Sequence, residues 1–177
     1  MKRSISFWQF GGYVFTSLLG TMLHFLYDML GKSILIAPFS AVNESIWEHM
    51  KLLYFPMLIF AIIENQFFKT EFKNFWFAKL VGFSVGLTLI PVLYYCYTGI
   101  LGVFADWFNI LIFFIAAAAA FIIETIILKR NQKPLISNKI SFFIICLIGI
   151  IFIILTFFPI KIPLFKDPIT NQYGIIK

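Results

Sequence analysis

The chain has 177 residues, of which 61% are hydrophobic, 20% aromatic and only 12% charged, with a formal net charge of +6. An ordinary soluble domain is about 45–50% apolar and about 25% charged, and one this small leaves much of its surface in water. Too few polar residues are present to cover such a surface, so a soluble globular domain, a disordered chain, a disulfide scaffold and a nucleic-acid binder are excluded and an integral membrane protein remains.

Five segments reach membrane length, which takes about 20 residues at about 1.5 Å each. The expected fold is all-α, a polytopic bundle of about five transmembrane helices. The first segment is Trp8–Leu30. Lys2 and Arg3 precede it, but the stretch is too long for a signal-peptide core and ends in His24 and Asp28 rather than small residues, so it is expected to stay as a helix. The second is Glu44–Phe68, whose uninterrupted apolar core is only Leu52–Ile63, a length that also suits a re-entrant or buried helix. Asn43 as N-cap and the capping-box pattern of Ser45-Ile46-Trp47-Glu48 extend it backwards. Asn74–Tyr97, Val103–Leu128 and the uncharged Ile140–Phe158 complete the set. Pro56 and Pro91 are expected to kink the second and third segments, and the Ala116–Ala120 run to let the fourth pack closely on a neighbour. Cys96 and Cys146 fall at different depths, too far apart for a disulfide, and are expected to be free thiols. The division is one transmembrane domain, 1–158, and a proline-containing tail, 159–177, extended across the extracytoplasmic face.

Basic residues at the segment ends set the orientation. With the N-terminus inside, Lys2, Arg3, Lys69, Lys73, Lys79, Lys129, Arg130, Lys133 and Lys139 mark the inner side, and Lys32, Lys51, Lys161, Lys166 and Lys177 the outer. Nine against five predicts an N-in, C-out multi-pass membrane protein. Glu64 and Glu124 then lie near the inner ends, with Lys69, Lys129 or Arg130 as expected partners.

An ionisable residue inside a membrane span is costly and needs a reason. Ser17, Thr21, His24 and Asp28 recur at spacings of four, three and four, on one face of the first segment. The second opens with Asn43-Glu44-Ser45-Ile46-Trp47-Glu48-His49-Met50-Lys51. Acidic residues here suit the helix dipole, Lys51 can pair with Glu48 at i,i+3, and Trp47 can anchor at the membrane interface. A helix start does not account for His49. His24 and His49 are the only two histidines, and each lies about 8–9 Å below the outer helix end of its segment. The short Gly31–Asn43 connection makes the segments antiparallel neighbours, so the two imidazoles can face each other at one level. Asp28, Glu44 and Glu48 gather nearby, with Asp106 and Asn109 from the fourth segment and Tyr97 from the third.

Asn-Glu-Ser-x-Trp-Glu-His-x-Lys at 43–51, followed by Pro56, resembles the signature of an uncharacterised family of small multi-span bacterial membrane proteins, mostly from Firmicutes. The resemblance extends to Leu23-His24-Phe25-x-Tyr27, to the turn at Tyr97–Gly102 and to Pro163-Leu164-Phe165-x-Asp167-Pro168 in the tail. Trp107-Phe108-Asn109-Ile110 departs from it, since Asn109 stands where the family is expected to carry Asp. The resemblance implies a multi-span fold and a shared site, and no activity.

Three functions stay open on the residues alone. The first is a membrane-embedded metal enzyme, a hydrolase or transferase acting on a lipid or lipid-linked substrate. His24, His49 and Asp28 would be zinc ligands, Glu44 a further ligand or an orienting carboxylate, and Glu48 and Lys51 the catalytic residues, with Glu48 as the general base. Asn43, Ser45, Trp47, Tyr97, Asp106 and Asn109 would line the pocket. The second is a transporter of a small molecule or metal ion, or its substrate-binding subunit, with the prolines serving moving helices. The third is a non-catalytic accessory protein; haem held by the two histidines is a minor variant.

Overall fold

The computed structural model describes residues 4–68, 70–102 and 106–175. It is all-α, with five long helices: α1 (Ile5–Met29), α2 (Ile46–Phe68), α3 (Phe75–Leu101), α4 (Asp106–Arg130) and α5 (Asn138–Phe157). A short 3-10 turn, Pro163–Phe165, follows. Each helix lies within a few residues of its expected segment; the expected start of the fourth, Val103, lies outside the described residues. Helices α2 to α5 are long and apolar enough to cross a membrane. Helix α1, with 25 residues, has the length but falls short of that apolarity.

Helix α2 is the hub. Over its most apolar stretch 72% is buried, against 28–44% in α3, α4 and α5. That burial explains its short apolar core. It faces protein on most sides, so its polar residues meet partners rather than lipid. It runs unbroken through Pro56, as α3 does through Pro91. Helices α1, α3 and α5 pack around it, and α4 closes the ring against α1 and α3. Tyr54 of α2 is fully buried and donates to the Ile145 carbonyl of α5 at 2.5 Å. Gly149 makes room for it, because a Cβ there would stand 2.7 Å from the Tyr54 hydroxyl. Ala116, Ala117 and Ala120 are fully buried and bring α4 against Gly86 of α3. Cys96 and Cys146 are free.

Both ends of α2 are pinned by buried ion pairs. Near its C-terminal end Glu64 pairs with Lys79 of α3 at 2.5 Å, and Lys79 pairs equally closely with Glu124 of α4. Gln9 of α1 donates to the second Glu64 oxygen at 2.7 Å. The expected surface partners, Lys129 and Arg130, are replaced by a lysine from inside the bundle; Lys69 lies outside the described residues. Near the N-terminal end Glu48 pairs with Lys51 at 2.6 Å. Lys51 also donates to the Ala37 carbonyl and to Thr156 Oγ1 of α5, both at 2.9 Å. All three ammonium protons are thereby used, and Lys51 is fully buried rather than marking a surface.

The tail is folded rather than extended. The Asp167 carboxylate accepts from the Ile169 and Thr170 amides, its own amide donates to Gln172, and Lys166 pairs with Tyr173 in a β-bridge, so the segment doubles back. Phe165 stacks on Trp47 at 4.6 Å and 33°, and Phe152 of α5 meets Trp47 at 4.5 Å. Trp47 is therefore a buried contact between tail and bundle, not an interfacial anchor.

Lys79→Met would leave Glu64 and Glu124 facing each other with no cation between them. The expected loss is about 3–5 kcal/mol, read as a fall in melting temperature in detergent or as loss of monodisperse protein. Glu124→Gln keeps Glu64 on Lys79 and should cost much less. Equal losses in the two variants would contradict the assignment of Lys79 as the shared cation.

Candidate metal centre

The chain enters α2 through a fixed turn. Asn43 Oδ1 accepts the Ser45 amide at 2.9 Å, an Asx turn that directs the backbone into the helix. Ser45 is the N-cap, its Oγ accepting the Glu48 amide at 3.4 Å. The capping box is half formed, since the Glu48 carboxylate passes over Ser45 to accept the Val42 amide at 3.0 Å and to meet Lys51. Asn43 is thus not the N-cap. Its Nδ2 donates instead to the Gly174 carbonyl at 2.7 Å and ties down the end of the tail.

This turn leaves Glu44 one residue before Ser45 and puts His49 one turn beyond it. Glu44 projects between the two imidazoles: its Oε1 is 3.8 Å from His24 Nε2 and its Oε2 is 3.5 Å from His49 Nε2. The ring centroids are 5.5 Å apart. One ligand atom from each of the three residues can be chosen so that all lie within 4.8 Å of one another, a group that could hold a metal ion. Tetrahedral bonds of about 2.0–2.1 Å place ligand atoms about 3.3 Å apart, so only a small contraction is needed. His49 is oriented for this. Its Nδ1 lies 2.9 Å from the Ser45 carbonyl, and a carbonyl only accepts. Nδ1 is therefore the donor in this contact and Nε2 is the ring atom directed towards Glu44, the arrangement in which a second contact fixes the orientation of a ligating histidine.

The three side chains stand at the rim of a cavity of about 370 Å³. Thr21 of α1 and Asn109 of α4 are its other polar lining residues. The remainder is apolar, with Leu52 of α2, Phe113 and Phe114 of α4, and Ile169 of the tail. Asn109 is held by the Tyr97 hydroxyl, which donates to its Oδ1 at 2.8 Å. A second void of about 20 Å³, room for about one water, lies behind the same wall towards Tyr94.

The structure brings together His24, Glu44, His49 and Asn109 out of the expected site. Asp28 is exposed and lies outside both the ligand group and the cavity lining. Glu48 and Lys51 are buried behind the rim, occupied with each other, and Asn43, Ser45 and Trp47 build the turn and its support. The side chain of Asp106 lies outside the described residues. Sequence reasoning missed the apolar walls. The spacing of Asn109, Ile110, Phe113 and Phe114 on one helical face is the signal that would have found them.

Asn43→Asp keeps the acceptor for Ser45 and removes the donor to Gly174. Losing a buried hydrogen bond of about 1–1.5 kcal/mol corresponds to about a tenfold shift in an opening equilibrium. Tryptic cleavage after the exposed Lys161 and Lys166 should accelerate by that order. An unchanged rate would mean that Trp47 and Phe165 hold the tail without Asn43.

No curated protein and no solved structure matches the chain. Residues 2–175 match the family of unknown function DUF6512, and the chain belongs to that family.

Proposed function

We propose that this protein is a multi-pass membrane enzyme of the bacterial plasma membrane, a zinc-dependent hydrolase or transferase acting on a lipid or lipid-linked substrate. The observation that carries the reading is the His24, Glu44 and His49 group at the rim of a mostly apolar cavity. Three acceptor-bearing side chains within 4.8 Å of one another favour a cation among them. Two imidazoles and a carboxylate suit zinc. Three protein ligands leave a fourth position open towards the cavity, as in catalytic rather than structural sites. A zinc ion there would polarise a linkage or activate a water.

The chain's own groups supply the rest. Asn109, fixed by Tyr97, faces the site from α4 and would position the substrate. Glu48 and Lys51 act as positioning residues, since they set the start of α2 from which Glu44 and His49 project. At the Gly20 end of the cavity α1 packs tightly on α2 and α4, since a Cβ there would stand 2.6 Å from both the Leu52 carbonyl and Phe113. Tight packing at that end supports a reaction pocket over a conduit. In the membrane we read five spans, N-in and C-out, which puts the site in the outer leaflet. With the buried Lys51 and Lys79 removed from the count, the remaining basic residues stand eight inside to four outside, so the bias is kept.

Protein purified in detergent without chelators should carry about one zinc per chain by elemental analysis. His24→Ala, His49→Ala and Glu44→Gln should each lose most of it, while Asp28→Asn retains it. Less than about a tenth of an equivalent of any transition metal in a folded wild-type sample would sink the reading.

A further inference from the structure

We propose that the cavity seats one acyl chain of a bilayer lipid, admitted sideways through a gap between α1 and α4, with the lipid's polar linkage held at His24, Glu44 and His49. The placement of the linkage rests on the metal-site reading above; the chain seat does not.

Three sides of the cavity are closed. Helix α2 forms the back with Leu52, the tail covers the His24 end with Ile169, and α1 meets α4 below at Gly20 and Phe113. Further down, Gly12 lies against Phe121 of α4 and Phe60 of α2, so the two helices stay in contact there. Above Gly20 they part. The side facing away from α2 is flanked by Phe25 of α1 and Ile110 of α4, which both line the cavity and are 56% and 59% exposed. They continue the belt formed by Leu18, Met22, Leu111 and Ile115 on the same two helices, all exposed large apolar residues. On a bundle with four membrane-length apolar helices such a belt faces acyl chains. The gap therefore opens into hydrocarbon, not water, at the depth of the His24 ring.

The polarity inside is compatible. His24, Glu44 and His49 form one polar group, Thr21 beside Gly20 turns its hydroxyl back to the Ser17 carbonyl, and apart from Asn109 the other walls are aromatic and aliphatic, so an amphiphile meets one polar group in a mostly apolar cavity. Leu52 and Phe113 are 3% and 8% exposed, so a chain on the outer surface of the bundle does not reach them, whereas a chain in the cavity does.

The test uses the full chain in phosphatidylcholine nanodiscs doped with phosphatidylcholine carrying a diazirine in one acyl chain. After photolysis, peptide mapping should place adducts on Leu52 or Phe113 several-fold more often than on Leu147, a lipid-facing residue of α5. Ile110→Trp, which fills the mouth of the gap without touching the metal group, should abolish the inner adducts and leave labelling of Leu147 and the zinc content unchanged. Gly20→Leu is a second block, scored only if the protein stays monodisperse. His24→Ala should lose zinc yet keep the inner adducts, so failure of the metal reading and failure of the acyl seat give different patterns. Labelling of Leu52 and Phe113 no greater than in the Ile110→Trp protein would overturn the proposal.

Discussion

Everything in this bundle depends on how α2 satisfies its charges away from water. A helix surrounded by other helices in a bilayer has no solvent to hydrate a carboxylate or an ammonium, and an unpaired buried charge costs several kcal/mol. Glu48 and Lys51 lie at one end of α2 and Glu64 near the other, 16 residues apart, or about 24 Å along the axis. Each end is neutralised by a different set of neighbours. Gln9, Lys79 and Glu124 bring α1, α3 and α4 to the Glu64 end. Thr156 and Ala37 bring α5 and the α1–α2 connection to the Lys51 end. Directional contacts of this kind fix rotation and register, which apolar packing between helices in lipid specifies weakly. Whether they add net stability is a separate matter, because desolvation offsets much of the attraction.

The candidate metal centre inherits its geometry from the Lys51 end. Glu48 reaches back to the Val42 amide and so fixes the residues just before the helix. Asn43 and Ser45 complete the turn, and the Ser45 carbonyl takes the His49 Nδ1 proton. Glu44 is left with no structural duty in the helix start and is directed at the two imidazoles. A carboxylate between two ring nitrogens, one with its orientation already set, is poised for a cation. Glu48 and Lys51, the pair expected from the sequence to take part in catalysis, are engaged with each other and with the backbone and Thr156 around them.

The sequence carried the helices and the meeting of the two histidines. Apolar length dominates helix placement in a membrane protein, and equal distance from a short connection is enough to pair His24 with His49. It did not distinguish Glu44 from Asp28. Both lie near His24 in sequence-derived depth, but Asp28 sits a turn further along α1 and is exposed, while Glu44 arrives from the connection, whose path no periodicity reveals. Lys51 and Lys79 read as topology marks because a lysine at a helix end is usually solvated; only the tertiary packing shows that each is enclosed by acceptors. The folded tail was hidden for a similar reason. Its prolines signal irregular backbone, but the hydrogen bond from Asn43 to Gly174 spans most of the chain.

One local pattern in α1 connects packing to the site directly. Gly12, Thr16 and Gly20 repeat every four residues and are all buried, a row of small side chains that lets helices approach closely in a membrane. Gly12 admits Phe60 and Phe121, and Gly20 admits the Leu52 carbonyl and Phe113. The row ends at Gly20. The next positions on the same face are Leu23 and His24, too large for the same approach, so α1 stands off from α4 where His24 begins. The cavity is the consequence of that change from small to large, and its depth is set by where the small residues stop. Thr21, one turn below His24, donates back to the Ser17 carbonyl at 2.8 Å and so makes its bond within α1. His24 is the member of the stripe that reaches another element, and it does so at the level where α1 and α4 part.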